Sequence, residues 1–329
     1  MSRAITRRAF LAVPAAAAVA CRGRSDRPFL QSAFTVAPRS AVALLAAATY
    51  EVDFADLIFR GLSELGVDVA GRSVLLKPNI VEYETTQAIN THPLVVAGAV
   101  AAFRRAGARQ VLVGEGPGHR RDTEYLLTSS GLYEHLNELR TPFIDLNHDD
   151  VREVPTRSWY TGLRSLTLPT SVLAADVVVS MPKLKTHHWA GLTCSMKNLF
   201  GVVPGAVYGW PKNLLHLKGI NASIVDIVAT AQPDLAIVDG VVGMEGDGPI
   251  MGKARPLGLI AMGTDLPAVD ATCARLIGID PERLTYLKAA RNYLGNVDAD
   301  RIDHRGEPPG RFATTFELID AWREARLKA

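Results

Sequence analysis

The sequence predicts an α/β domain: a mostly parallel sheet covered by helices on both faces, with a ligand site at the carboxyl ends of the strands. Three observations predict it. Apolar runs of four to six residues alternate with segments of helical periodicity, the pattern of strands buried on both faces. Each run leads into polar or glycine-rich residues, and open α/β sheets bind ligands beyond their strand carboxyl ends. The 329 residues are 48% hydrophobic and 21% charged, enough apolar content for a substantial core without disulfide or metal support.

The first 21 residues read as a targeting segment. Arg3, Arg7 and Arg8 make a basic start, and Phe10 to Ala20 is an apolar run of 11 residues, shorter than an ordinary membrane-spanning helix. TRRAFL resembles the twin-arginine export motif, with Arg7 and Arg8 as the pair. AVAC resembles a bacterial lipobox with Cys21 as the acylated residue, although Ala18 stands where leucine is typical. The expectation is export by the twin-arginine translocase to the periplasm or cell envelope. The membrane would be met only through an anchor at Cys21.

Residues 22–38 are polar and irregular and read as a flexible tether; residues 39–329 read as a single α/β domain. SAVALLAAAT suggests a strand. In DFADLIFRGLSELG, Phe54, Leu57, Ile58 and Leu62 share one helical face, with Asp53 near the start. SVLLKPN is a short buried strand. HPLVVAGAVAAFRRAGA is a helix with Pro93 in its first turn and Gly107 near its stop. QVLVGEGPG runs from strand into a glycine-rich loop, TEYLLTSSG is a short helix, and TPFIDLN and AADVVVSMPK are strands. NLLHLKGINASIVDIVATAQPD is expected as one long helix, DLAIVDG and PLGLIAMG as strands, and LPAVDATCARLIG and PERLTYLKAARNYLG as helices.

Charge and cysteine content exclude several functions. The chain carries +2 overall, and without the three arginines of residues 1–20 it carries −1, with no basic stripe for nucleic acid. GEGPGH has glycines at alternate positions and His119 where a dinucleotide fingerprint needs its last glycine. No Walker GKS or GKT follows. Three cysteines, Cys21, Cys194 and Cys273, with no C-x-x-C, cannot supply the usual four thiolates of a self-contained iron–sulfur cluster.

The strand ends carry the candidate site. Lys77 and Asn79 follow the first buried strand of this set, and Glu115 lies between Gly114 and Gly116. Lys183, Lys185, His187 and His188 follow DVVVS; Glu245, Gly246, Asp247 and Gly248 follow LAIVD; Asp265 follows LIAMG. Convergence of these five loops on one cleft is the expectation. Lys183, Lys185, Lys197 and Lys212 suit a carboxylate or phosphate. Lys197 stands out because GLTCSMKNLFGVVPG is otherwise small and apolar. His187 is placed as an acid–base group. His187 and His188 are adjacent, so on an extended loop they point apart and do not share a metal. Asp239, Glu245, Asp247 and Asp265 offer oxygen ligands for Mg²⁺ or Ca²⁺, or acid–base chemistry, without EF-hand spacing.

LLKPNIV, VVVSMPKLKTHHWAGLTCSMKNLFGVVPG, DLAIVDGVVGMEGDGP and GTDLPAVDATCARLIG resemble the bacterial and archaeal domain of unknown function 362 family over about residues 39–310. The resemblance implies an α/β domain often fused to, or partnered with, a ferredoxin-like iron–sulfur module. It directs attention to Lys77, Asn79, Lys183, Lys185, His187, Lys197, Asn198, Asp239, Glu245, Gly246, Gly248, Asp265 and Asp270. This chain lacks the cluster cysteines of the fused members, so electron transfer would need a separate ferredoxin-like partner. The functional expectation is an enzyme for a small anionic substrate, with Lys183, Lys185, His187, Lys197 and Asp239 in catalysis. Lys77, Asn79, Glu115, Asn198, Gly246 and Gly248 are assigned to substrate, and Glu245, Asp247 and Asp265 to a divalent metal. Redox chemistry with an external iron–sulfur donor is one version. The alternative is a non-catalytic envelope protein that binds a ligand or docks a cluster-bearing partner.

Overall fold

The computed structural model describes residues 27–328 apart from 86, 119–121 and 292. The twin-arginine pair, Cys21 and His119 lie outside these residues. Among the described residues the strands are β1 Ser40–Ala46, β2 Ser73–Pro78, β3 Gln110–Glu115, β4 Phe143–Asp145, β5 Val151–Pro155, β6 Ser165–Pro169, β7 Val177–Met181, β8 Lys183–His187, β9 Gly191–Thr193, β10 Leu235–Glu245, β11 Lys253–Gly263 and β12 Ile302–Gly306. The main sheet runs β12-β1-β11-β10-β7-β2-β3-β4, with β8 on β10 and β9 on β8; β5 and β6 form a separate hairpin. From β10 to β4 along the main order every pairing is parallel. This is the mostly parallel α/β sheet the apolar runs predict.

One strand departs from that plan. β11 is antiparallel to both β10 and β1. Only seven residues, 246–252, separate β10 from β11. A parallel return needs a crossover of a dozen residues or more, so this connection can only be a hairpin. The carboxyl end of β11 therefore lies at the opposite edge of the sheet from the other strand ends.

Alternation along the strands sends side chains into two cores. Leu44, Leu75, Val178, Ala236 and Val238 face one cluster, shared with helices α9 (Ile220–Ala231), α10 (Leu266–Leu276) and α11 (Thr285–Ala290). Leu45, Val74, Leu76, Val177, Val179 and Ile237 face the other, shared with α1 (Phe54–Glu64), α2 (Pro93–Arg105), α3 (Thr123–Ser129) and α4 (Leu132–Glu138). Burying each such Val, Leu or Ile is worth about 1.5–3 kcal/mol. Asp53 caps α1 by accepting from the Asp56 amide at 3.0 Å. Pro93 opens α2, and Gly107, at φ +86°, follows its end.

The expected long helix from Asn213 is two, α8 (Asn213–Leu217) and α9, parted at Gly219 with φ +98°. The expected helix from Pro281 shortens to a 3₁₀ turn and α11. The expected tether is docked from Phe29 onward. Phe29 is buried and stacks on Tyr293 at 3.8 Å between centroids.

Candidate functional site

β7 ends at Met181, and after Pro182 the chain continues as β8 against β10. That pairing jumps from Asp239↔Lys183 to Met244↔Lys185, and β10 itself bulges between Gly240 and Val242. Lys183 and Lys185 therefore meet different stretches of β10. Lys183 donates to Asp239 at 2.5 Å and to the Tyr50 hydroxyl at 2.7 Å. Asp239 also accepts from the His92 and Val241 amides. Burial pushes the Lys183 ammonium pKa down, and Asp239 opposes that shift. This closed ion pair does not line the main cavity.

Lys185 and His187 do line it. The cavity holds about 500 Å³ and is walled by the ends of β2, β3 and β8, residues 193–201, residues 211–216 and the β10–β11 loop. Of the candidate residues, Lys77, Asn79, Glu115, Lys185, His187, Lys197, Asn198 and Asp247 meet here. Gly248 lies just behind the wall, its carbonyl accepting from the His188 amide at 2.9 Å. A side chain on Gly248 would collide with the Thr186 carbonyl, so this glycine packs the loop. Gly246 adopts φ +83° and donates to the Glu317 carbonyl.

Glu245, Asp247 and Asp265, the residues assigned to a metal, lie apart. Glu245 accepts from the Glu317 amide at 3.0 Å. Asp247 sits at the rim, 3.6 Å from His188. Asp265 is on the far edge, because it follows the antiparallel β11; there it caps α10 and accepts from Ser40, Ala268 and Asn296. Among the described residues no three His, Cys, Asp or Glu side chains form a metal-binding group.

Lys77 and Glu115 make a second closed pair at 2.5 Å, both fully buried. Lys77 also donates to the Pro78 carbonyl and to Asn198 Oδ1 at 2.9 Å each, which occupies all three of its hydrogens. Burial lowers the Lys77 pKa against the pull of Glu115. Glu115 in turn accepts from the Ile80 and Gly116 amides. Gly201 makes room for the pair: a Cβ there would overlap both Glu115 Oε1 and Lys77 Nζ. Gly201→Ala is expected to lower the melting temperature and perturb the cavity, read by thermal unfolding.

Three further lysines have no carboxylate partner. Lys185 donates to the Ile89 carbonyl at 2.6 Å and the Pro249 carbonyl at 3.3 Å. Burial, then Lys197 and Lys183, push its pKa far down. Lys212, held at φ +69°, donates to Gly116 O at 2.9 Å, to Asn147 Oδ1 and to Val203 O; burial lowers it to about 7. Lys197 Nζ has only the Phe200 ring, 5.0 Å away, and no hydrogen bond among the described residues. Burial first, then Lys77, lower it to about 8. Lys197 rides on a four-residue helix, α6 (Ser195–Asn198), that is itself anchored. Buried Asp270 accepts from Ser195 N at 2.7 Å, Ser195 Oγ, Met196 N and the Tyr286 hydroxyl, and burial raises its carboxyl to about 6.

His187 Nδ1 accepts from the Trp189 and Ala190 amides at 3.0 and 3.2 Å. Burial, followed by Lys197, pushes its pKa down strongly, so the ring is neutral and carries its proton on Nε2. In this form its Nε2–H is a hydrogen-bond donor. Two buried acceptors on the wall, Asn79 Oδ1 and Thr193 Oγ1, have no partner among the described residues. Orphaned groups of this kind cost about 1–3 kcal/mol each and mark where a ligand's polar atoms would sit. Trp189, Phe200 and His216 close the aromatic wall, with His216 5.5 Å from Trp189 and 5.2 Å from Phe200. Single aromatic residues in a loop or in one short helical turn carry no periodic signal, which is why the sequence did not single these out.

The Domain of unknown function (DUF362) family matches residues 74–275. The chain belongs to the DUF362 family. All the cavity-lining candidates from Lys77 to Asp247 fall inside that span. A thylakoid-associated protein of a Synechocystis strain is 31% identical over 232 residues, covering 68% of each chain. Among solved structures, a lactate racemase apoprotein from Thermoanaerobacterium thermosaccharolyticum is similar at 13% identity and a TM-score of 0.39, over 67% of this DUF362 chain and 54% of the other. A Thermotoga maritima protein is similar at 14% and 0.37, over 64% and 56%. The chain thus spans about half the length of these solved structures.

Proposed function

We propose that this DUF362 protein is an enzyme that binds a small anion in the cavity and moves a proton to or from it. The supporting observation is the trio Lys185, Lys197 and Lys212 around one cavity, none of them in a salt bridge with a carboxylate among the described residues. Burial first, and repulsion from neighbouring lysines after it, lower their pKa values. A bound carboxylate or phosphate relieves that repulsion.

The roles divide by hydrogen bonding. Lys212 spends all three hydrogens on oxygens, which fix its amino group in place. Lys185 keeps one hydrogen for the ligand. The Nε2–H of His187 donates to a ligand oxygen. Lys197 has no tether, and with a pKa of about 8 a minority is neutral at pH 7; it is the proton carrier. The Lys77–Glu115 and Lys183–Asp239 pairs are supports. A redox version of the reaction would draw electrons from a separate iron–sulfur protein. The only cysteines among the described residues, Cys194 and Cys273, are buried. For location we propose export by the twin-arginine route and association with a membrane, supported by the TRRAFL and AVAC segments and by the thylakoid association of the Synechocystis relative. No described helix is long and apolar enough to cross a membrane.

The test is thermal unfolding against millimolar phosphate and a panel of small mono- and dicarboxylates, with a neutral amide control. At least one anion should raise the melting temperature by several degrees. Equal melting with every anion and the control would overturn the reading.

A further inference from the structure

Polarity in this cavity changes with depth. Its most buried lining groups are Lys185, Lys212 and the Lys77–Glu115 pair, each no more than 1% exposed, with the orphaned oxygens of Asn79 and Thr193 beside them. Its exposed lining groups include Trp189 and Met251, 59% and 76% exposed, with Ile250 beside them. His216 of α8 lines the cavity beside them. An ordinary site for a small hydrated anion has a polar mouth. Here large apolar side chains face water around a cationic floor, at a cost that only an apolar occupant recovers.

We infer that the natural ligand is an anionic amphiphile, with a carboxylate or phosphate head on the lysine floor and an aliphatic tail across Trp189, Ile250 and Met251. The inference rests on the anion reading above and names its substrate class. Head and tail are recognised by different physics. The head meets Lys185, Lys197 and Lys212, the His187 Nε2–H and the side-chain amide of Asn79. The tail removes its own methylenes and the rim side chains from water, and each methylene buried should tighten binding by about fourfold. The edge-on packing of Trp189 against His216 holds the rim side chain in place for this contact. Asp247, exposed at the same rim, disfavours a second negative charge there, which orients the head inward.

The experiment is titration calorimetry with monoalkyl phosphates and carboxylates from methyl to octyl, kept below micelle concentrations, with inorganic phosphate and octyl glucoside as comparators. Expected are a Kd that falls with chain length to at least ~10-fold below that of inorganic phosphate and weak binding of octyl glucoside. The Trp189→Ser/Met251→Ser double variant should lose the length dependence while still binding inorganic phosphate. Equal affinity for methyl and octyl heads would overturn the amphiphile and leave the anion reading standing. No binding of any anion by folded protein would overturn both. Octyl glucoside binding as tightly as octyl phosphate would overturn the head-group assignment. Sedimentation with phosphatidate-containing vesicles identifies the source. Pelleting that the double variant loses supports a bilayer lipid, and retention in solution alongside octyl phosphate binding supports a dispersed amphiphile.

Discussion

Asp239→Ala is expected to destabilise the protein by about 3–5 kcal/mol, the usual cost of removing one partner from a buried ion pair. Asp239 is fully buried, and its carboxylate accepts from Lys183 Nζ, the Tyr50 hydroxyl and two backbone amides. Alanine leaves the Lys183 ammonium in the core with one remaining acceptor, Tyr50. Asp239 is also what holds the first turn before α2 onto β10, through the His92 amide at 2.9 Å, with His92 stacked on Tyr50 at 3.7 Å. For a domain of this size the loss corresponds to a drop of roughly 10 °C in melting temperature. Burial already holds the His92 pKa down to about 4, so the ring stays neutral and brings no charge to offset the Lys183 ammonium. The Asp239→Ala/Lys183→Met double variant should recover much of the loss, because it removes both charges together. A single variant that melts like the parent would show that the pair contributes nothing. The same pair of variants separates two roles: a support has activity fall with stability in the single variant and return with it in the double, whereas an Asp239 that acts on substrate leaves the double stable but inactive.

The parallel sheet and its loaded strand ends were legible because burial writes itself into sequence as apolar runs, and the residues at run ends are released to be polar. Lys77, Glu115, Lys185 and His187 were singled out in this way, and Lys197 as a lone charge in an otherwise small and apolar stretch. Asp265 was misplaced for one physical reason. A run such as LIAMG says that a strand is buried but not which way it points; direction came from the seven-residue connection 246–252, too short for a crossover. Lys183 and Lys185 share an alternation, so periodicity assigns them one role. The bulge in β10 separates them, and a bulge leaves no mark in composition. His187 was legible as a titrating group, yet its role depends on two backbone amides, from Trp189 and Ala190, that fix its tautomer. Those belong to loop geometry. Gly219 was visible inside the expected long helix, but only its positive φ turns it from a tolerated residue into a break.

Lys197→Met should weaken anion binding by at least ~100-fold, the scale of removing a charged hydrogen bond from a desolvated site. Methionine keeps the length of the stem and its contact with Phe200 while removing the charge, so folding is retained and the loss reads on binding alone. The pH dependence separates this lysine from its neighbours. In the free protein Lys197 titrates at about 8 and Lys212 at about 7, both below the unfolded value of 10.5. Between those values the unfolded chain holds more protons than the folded one, so the stability of the unliganded protein should rise as pH increases from about 7 to 10.5. Below pH 7 both lysines are charged in either state, and their full repulsive penalty is present. Anion binding runs the other way, since it needs the ammonium forms and should fall as pH passes 8. The two trends must therefore cross: stabilisation by a saturating anion shrinks with pH while the unliganded protein gains. In Lys197→Met the rise above pH 8 should flatten, leaving only the part due to Lys212. Melting curves at fixed ionic strength from pH 6 to 10, with and without the anion, read both slopes. A parent protein whose unliganded stability falls steadily across that range, or an affinity that does not change through pH 8, would remove Lys197 from the centre of the site.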